Sequence, residues 1–220
     1  MNFQEFENKI IDTLAKYIIK KGPNGRYLQL VLGAYEEGGE VSTIIRKATK
    51  GNFHEKPIDL EHLKEEIGDV FFYITQITHQ LPNVTIVSVV ESSLENENGD
   101  NEIELEEDEL TIRKYQQRIS NTYGKDLPES QNERGLAFAL GLISGMGGLT
   151  ELFGKHILKG QELDTDSIKI KLGECLKNAA ALSGNYGLDF QEIAEAAIEK
   201  ARSRYDKNGI AKVDNGAEAR

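Results

Sequence analysis

Residues 59–77, which read DLEHLKEEIGDVFFYITQI, determine the fold class of this 220-residue chain. Their apolar residues recur every three or four positions, as on one buried face of an α-helix: Leu60, Leu63, Ile67, Val70, Phe71, Ile74 and Ile77. Asp59 precedes this stripe and is a favourable N-cap residue, so the helix is predicted to begin there. His62 cannot complete a capping box, which predicts a simple cap.

Three other segments of the first half are also predicted to be helical. Apolar residues recur at helical spacing over residues 3–20 and 27–49, with a turn predicted between them over residues 21–25. Residues 84–95 are rich in valine and isoleucine, whose propensity alone would favour a strand. We predict a helix there because an internal repeat pairs this segment with a helical one.

The chain repeats itself with an offset of 109 residues. This offset aligns residues 6–51 with residues 115–160 without a gap. The matches include Gly38-Gly39 with Gly147-Gly148, Lys50-Gly51 with Lys159-Gly160, residues 67–69 with 172–174 after a loop shortening, and residues 84–95 with 188–199. Chance similarity between amphipathic helices is the alternative, but the matched glycines favour internal duplication.

The duplication predicts an all-α protein of two tandem four-helix units packed as a pseudo-dimeric helical bundle. The units are residues 1–95 and 112–206, with a linker over 96–111 and a flexible tail over 207–220. The linker region is strongly acidic, since residues 91–110 contain ten acidic residues and no Lys or Arg. A solvated linker is expected, with an acidic docking segment as the alternative.

Four carboxylates of the first unit are spaced so that two helices present them together. Glu37 and Glu40 are three residues apart, and so are Glu66 and Asp69, which puts each pair on one helix face. Two antiparallel helices would bring all four to one point, where their repulsion favours a hard divalent cation. An oxygen-only set suits Mg²⁺ or Mn²⁺. The glycines beside these acids predict close approach of a ligand or of a neighbouring helix.

The segments Glu36-Glu37-Gly38-Gly39-Glu40-Val41 and Glu65-Glu66-Ile67-Gly68-Asp69-Val70 resemble the ExxE…ExxD signature of the MazG-like all-α nucleoside triphosphate pyrophosphohydrolases. Residues 2–6 and 193–205 resemble the first and last helices of that family. The resemblance covers nearly all of residues 1–95 and, more weakly, residues 112–206.

The resemblance implies an enzyme, a hydrolase that converts an NTP or dNTP to the monophosphate and pyrophosphate. The reaction uses Mg²⁺, with Mn²⁺ as an alternative ion, and a metal-activated water attacks the α-phosphorus. Glu37, Glu40, Glu66 and Asp69 would be the metal ligands, and Glu36 would be an auxiliary catalytic carboxylate that orients water.

The second unit lacks most of this carboxylate set. At the positions of Glu36, Glu37, Glu40, Glu66 and Asp69 it has Gly145, Met146, Leu149, Lys171 and Glu174. One carboxylate is not expected to hold Mg²⁺. The family's last helix usually carries an Asn and then a Lys that contact the nucleotide phosphates. The second unit has Ala197 and Lys200 at those positions.

These differences lead to the hypothesis of one composite site per chain. The first unit would supply acids and metal, and the second would supply Lys200, with Arg202 or Arg204, for the phosphates. Lys50 is a further candidate phosphate contact. The alternative is that these basic residues are ordinary solvated ends of helices, favoured there by the helix dipole.

Composition excludes or disfavours several other classes of protein. Most of the net charge of −11 lies in residues 91–110, and the rest of the chain has no basic excess with which to bind nucleic acid. The single cysteine, Cys175, is expected in the core and fits a reducing compartment. The sequence contains no unbroken run of about 18 apolar residues, the length that a membrane-spanning helix needs. A cytoplasmic protein is therefore expected. The four histidines show no metal-ligand spacing and are expected at the surface or at the boundary of the core.

The expected partner is a nucleoside triphosphate, and a homodimer is left open. Two other functions also stay open. One is a narrower pyrophosphohydrolase acting on dUTP, dCTP or phosphoribosyl-ATP. The other is a non-catalytic nucleotide- or metal-sensing interaction protein.

Overall fold

A computed structural model describes residues 1–14, 23–49, 57–95, 110–123 and 127–204. These residues form eight α-helices and no strand beyond one isolated bridge, so the predicted all-α fold class is confirmed. The helices are α1 (Phe3–Leu14), α2 (Pro23–Thr49), α3 (Leu60–Gln80), α4 (Ile86–Glu95), α5 (Ile112–Thr122), α6 (Gln131–Lys159), α7 (Thr165–Asn185) and α8 (Phe190–Arg204).

Polar residues that flank the apolar stripes define several helix ends. Asp59 caps α3 as predicted, because its carboxylate accepts a hydrogen bond from the backbone N–H of His62 at 3.1 Å. Thr111, Ser130 and Asp164 cap α5, α6 and α7 in the same way. At the other end of α6, Gly160 adopts φ of 65°, the left-handed conformation that commonly terminates helices.

The long helices α2, α3, α6 and α7 form the centre of the bundle. α2 and α6 are antiparallel, since Gly38 in the middle of α2 faces Met146, whereas Tyr27 near its start lies 5.1 Å, ring to ring, from Phe153. α4 packs on α7, and α8 packs on α3. α4 and α8 therefore each contact a long helix of the opposite half, and one apolar core runs through both halves.

Equivalent positions of the two halves make equivalent contacts. Asn2 and Thr111, which are separated by the repeat offset, pair with each other in an antiparallel bridge. Gly68 of α3 packs against α8, and Gly173, the aligned glycine of α7, packs against the aligned positions of α4. Such reciprocal contacts are typical of two-fold symmetric dimers. Gly68 and Gly173 thus each lie where a helix of one half contacts a helix of the other.

An aromatic cluster fixes the middle of α3 within the core. The ring of Phe71 stacks on Phe6 of α1 at 4.1 Å and on Phe190 of α8 at 5.0 Å, and all three side chains are buried. Phe71 follows Asp69 by two residues. The cluster therefore holds the turn of α3 that carries the acidic residues, and it holds α8 beside that turn.

One predicted boundary changes, and some predictions lie outside the described residues. α2 begins at Pro23, so residues 23–25 are helical and the predicted turn over 21–25 is wrong there. Proline is favoured in a first helical turn, where its missing N–H has no helical partner in any case. α5 begins at Ile112, the first residue predicted for the second unit, and Thr111 caps it. Residues 96–109, Lys50 and the tail after residue 204 lie outside the described residues.

One described helix, α6, is long and apolar enough to cross a membrane by length and composition. The sequence prediction counted only unbroken apolar runs and did not single it out. Central helices of soluble bundles pass the same test, and α6 packs against α2 and α7. The absence of a membrane partner stays a prediction.

Candidate metal centre

α2 and α3 bring together the four carboxylates that were predicted as ligands. α2 carries Glu37 and Glu40, and α3 carries Glu66 and Asp69. Within each helix the two residues share a face because of their i, i+3 spacing, and the two helices pack directly against each other. The acidic residues therefore meet where α2 contacts α3.

The possible ligand atoms form two overlapping groups instead of one set of four. One oxygen from each of Glu37, Glu66 and Asp69 lies within 4.8 Å of the others. In the second group, one ligand atom from each of Glu40, His62 and Glu66 satisfies the same limit. Glu66 belongs to both groups and is the centre of the cluster.

Burial and mutual repulsion favour a proton or a cation in this cluster. Glu66 and Asp69 are only 6% and 7% exposed. Burial, the hydrogen bond with Glu66 and the negative charges of Asp69, Glu66 and Glu40 together raise the pKa of Glu37 to about 8. Burial also raises the pKa of Glu66, and Glu40 adds to this effect. A divalent cation would relieve the same repulsion.

Among the described residues, no Lys or Arg forms an ion pair with Glu37, Glu40 or Glu66. The ion-pair partner of Glu66 within these residues is His62, with 2.8 Å between His62 Nε2 and Glu66 Oε1. In the part of the chain that the structure describes, this side of the cluster therefore has an imidazole but no lysine or arginine in ion-pair contact.

Lys200 of α8 reaches the opposite side of the cluster. Its Nζ atom lies 2.6 Å from Asp69 Oδ2 and 2.5 Å from Glu65 Oε1. Burial lowers the pKa of Lys200, but its hydrogen bonds to Asp69 and Glu65 outweigh this effect and leave the pKa above its usual value. The hydrogen bond from Lys200 lowers the pKa of Glu65. The second half thus supplies a cation directly to the carboxylates of the first half.

An open cleft of about 510 Å³ lies between α3 and α8, next to these carboxylates. Small and apolar residues line part of it, namely Gly68, Ile193, Ala196 and Ala197. Charged residues in its lining include Lys64, Glu65, Asp69 and Lys200. The cleft thus gives a ligand access to Asp69 and Lys200 at the same time.

In the corresponding region of the second half, a lysine neutralises the remaining carboxylate, and apolar side chains replace two of the others. Lys171 donates from Nζ to both carboxylate oxygens of Glu174, at 2.9 and 2.8 Å. Met146 and Leu149, which align with Glu37 and Glu40, are buried. No His/Cys/Asp/Glu group with metal-ligand distances occurs in the described part of this half.

The other residues predicted for the site are placed less centrally. Glu36 is exposed and belongs to neither ligand group. Arg204 is exposed at the end of α8, close enough for its charge to lower the pKa of Glu65. Arg202 pairs with Glu199 of its own helix at 2.8 Å. Lys50 lies outside the described residues.

Sequence reasoning missed the parts played by His62 and Glu65. His62 is at the surface as predicted, with a side chain 47% exposed, but it also joins a ligand group, against the prediction. Its i, i+4 spacing to Glu66 was the available signal. The contact of Glu65 with Lys200 joins residues 135 positions apart and had no local signal.

Comparison of the chain with protein-family models, with curated proteins and with solved structures finds no match. The likeness to MazG-like enzymes therefore stays a resemblance of motifs.

Proposed function

We propose that this chain is a Mg²⁺-dependent nucleoside triphosphate pyrophosphohydrolase, which converts an NTP or dNTP to its monophosphate and pyrophosphate. The observation that carries the proposal is the pair of ligand groups around Glu66, beside a cleft that also contains Lys200. The ExxE…ExxD motif resemblance supplies the reaction class. The clustered carboxylates would bind the metal ion, and Lys200 would contact the phosphates.

The donor set fits a hard divalent cation. Glu37, Glu66 and Asp69 would hold the ion through carboxylate oxygens, the ligands that Mg²⁺ and Mn²⁺ prefer. When bound, the ion would neutralise phosphate charge and activate water for attack on the α-phosphorus. Burial of Glu66 and Asp69 supports this role, because rigid, partly desolvated ligands orient a substrate accurately.

Lys200 is the residue proposed to contact the phosphates. It lines the cleft, its side chain is 24% exposed, and the aromatic cluster holds α8 against α3. Arg204, one turn further along α8, would extend this positive end of the site. Glu36 is exposed on α2 beside Glu37, where its carboxylate would accept a hydrogen bond from a water at the edge of the centre.

We infer that the two halves are tandem copies that pack as a pseudo-dimer with one composite site. The reciprocal packing of α4 on α7 and α8 on α3 supports this inference, as does the pairing of Asn2 with Thr111. The first half would supply the metal ligands and the second half would supply Lys200. The Lys171–Glu174 pair would replace a metal in the second half with a side-chain cation.

The test is hydrolysis of a panel of ribo- and deoxyribonucleoside triphosphates by the purified chain with Mg²⁺ in H₂¹⁸O. The proposal predicts pyrophosphate release with the label in the monophosphate, and the panel would show whether one base is preferred. Label in the pyrophosphate would contradict attack at the α-phosphorus. If the chain binds Mg²⁺ and nucleotide but releases no product, the proposed enzymatic activity would be overturned and a nucleotide-sensing protein would be favoured.

A further inference from the structure

His62 adds a nitrogen ligand to a cluster that otherwise consists of carboxylates. It lies one helical turn before Glu66 on α3, with Nε2 directed at Glu66 Oε1. Glu40 approaches the same two residues from α2, and ligand atoms of all three lie within 4.8 Å of one another. His62 and Glu40 are both exposed, so this side of the cluster is open to ions from solvent.

Within the described ranges of the chain, no lysine or arginine forms an ion pair with Glu66. The Glu66 side chain is only 8% exposed, and its ion-pair partner among the described residues is His62. Lys200 is engaged with Asp69 and Glu65 on the opposite side. In the second half, Lys171 stands at the position of Glu66 and supplies its own positive charge. The first half thus has a buried, paired acid in the place where the second half has a built-in cation.

We propose that Glu40, His62 and Glu66 form a second cation position, which prefers a transition metal ion to Mg²⁺. This inference rests on the proposed function and deepens it, because it states which ions the same centre accepts. Imidazole nitrogen suits transition metals, whereas Mg²⁺ binds mainly to oxygen ligands and dehydrates reluctantly. Glu66 would serve both positions, and Glu37 and Asp69 would serve only the oxygen-lined one.

The test uses the metal-free, full-length chain titrated with CoCl₂ or MgCl₂ alone. Isothermal titration calorimetry gives the stoichiometry and Kd, and the visible absorption of bound Co²⁺ reports loss of a nitrogen ligand. His62→Ala is compared with His79→Ala, which removes an exposed histidine from the last turn of the same helix. Glu40→Gln removes the other residue that is specific to this position.

The wild type and His79→Ala should bind two Co²⁺ ions per chain, one in each ligand group. His62→Ala should lower the Co²⁺ affinity of one site by at least ~10-fold. Removal of an outer-shell partner already costs this much, and His62 is proposed to bind the ion directly. The variant should change the Co²⁺ spectrum and alter the Kd for Mg²⁺ by less than about 2-fold, because the oxygen-only group is intact. Glu40→Gln should weaken the same Co²⁺ site.

Unchanged Co²⁺ stoichiometry, affinity and spectrum in His62→Ala would overturn the second position. If the wild type then still binds Mg²⁺ and releases pyrophosphate, only this inference fails and the proposed function stands. If the wild type binds neither ion, both proposals fail. Circular dichroism of each metal-free variant shows whether it is folded. If His62→Ala does not fold, the Co²⁺ affinity of Glu40→Gln decides the question, and an unchanged affinity would overturn the second position.

Discussion

Lys200 Nζ lies 2.6 Å from Asp69 Oδ2, although the two residues are 131 positions apart and belong to opposite halves of the chain. The Asp69 side chain is 10% exposed and that of Lys200 is 24% exposed, so solvent screens this pair less than a surface pair. The contact joins the carboxylates of α3 to the last helix. With the contact between Lys200 and Glu65, it links the two halves directly at the candidate site.

Lys200→Ala should weaken both stability and catalysis. It leaves the nearly buried carboxylate of Asp69 without its lysine, which should lower the free energy of unfolding by ~1–3 kcal/mol. Loss of the proposed phosphate contact should lower kcat/KM for triphosphates at least ~10-fold, equivalent to about 1.4 kcal/mol. Urea denaturation and steady-state kinetics measure these effects.

Arg202→Ala is the matched control for Lys200→Ala, because Arg202 pairs with an exposed glutamate of its own helix. Its effect on stability should stay below ~1 kcal/mol. Equal losses in the two variants would show that Lys200 is an ordinary solvated residue at a helix end.

Glu66→Gln should stabilise the metal-free protein and remove its response to Mg²⁺. The substitution replaces a buried carboxylate that neighbouring acids repel with an uncharged side chain of the same shape. The melting temperature without metal should therefore rise. The wild type should gain stability as Mg²⁺ is added, according to its Kd, and the variant should not. A variant that melts lower than the wild type without metal would contradict the electrostatic account.

Glu7→Gln should make stability less dependent on pH. Glu7 is 6% exposed and accepts a hydrogen bond from the backbone N–H of Ile86 at the start of α4. Burial raises its pKa above 4.5, against a smaller lowering by the hydrogen bond from Gln4. The folded state thus keeps a proton that the unfolded state loses. Stability from this group is therefore complete below pH 4.5 and declines as pH rises through the folded-state pKa.

Gln116 offers an internal comparison for this prediction. It aligns with Glu7, and its Oε1 accepts a hydrogen bond from the backbone N–H of Phe190 at the start of α8, at 3.1 Å. As pH rises above 4.5, Glu7→Gln should gain stability relative to the wild type, and Gln116→Glu should lose it. Parallel pH profiles for all three proteins, measured by denaturant unfolding, would refute the assignment.

Substitution by alanine should change stability in opposite directions at Gly173 and Gly147, two helical glycines of the second half. A Cβ on Gly173 would lie 3.1 Å from the carbonyl oxygen of Val89 and 3.2 Å from the nitrogen of Ser93, both backbone atoms, so Gly173→Ala should destabilise by ~1–3 kcal/mol. A Cβ on Gly147 would meet nothing within 4 Å. Gly147→Ala should stabilise by up to ~1 kcal/mol through helix propensity. Thermal denaturation of both variants checks the pair.

Much of the fold could be predicted from the sequence because local signals agree with one another. The apolar stripe after Asp59 predicted α3, and Asp59 caps this helix as expected. Residues 86–95 of the β-branched run form helix α4, as we predicted from the similarity to residues 188–199, because α7 buries one of its faces. The start of α2 was misplaced because Pro23 was interpreted as a turn residue and not as the first residue of a helix.

The candidate site was less fully predictable, because it depends on contacts between distant segments. The spacing of Glu37, Glu40, Glu66 and Asp69 was enough to expect that they meet. Their division into two groups around Glu66, with His62 in one of them, depends on how α2 and α3 are rotated against each other. No periodicity in a single sequence fixes that rotation.

The central claim is that the carboxylates of the first half form a metal-dependent catalytic centre. The most direct measurement is the rate of Mg²⁺-dependent pyrophosphate release from triphosphates by Glu66→Gln compared with Glu174→Gln, which changes an acid of the second half. We expect Glu66→Gln to lose at least ~10²-fold in kcat, since both ligand groups contain this residue. Glu174→Gln should stay within about 3-fold of the wild type, allowing for its modest effect on packing. Retained activity in Glu66→Gln, or equal losses in both variants, would contradict the account.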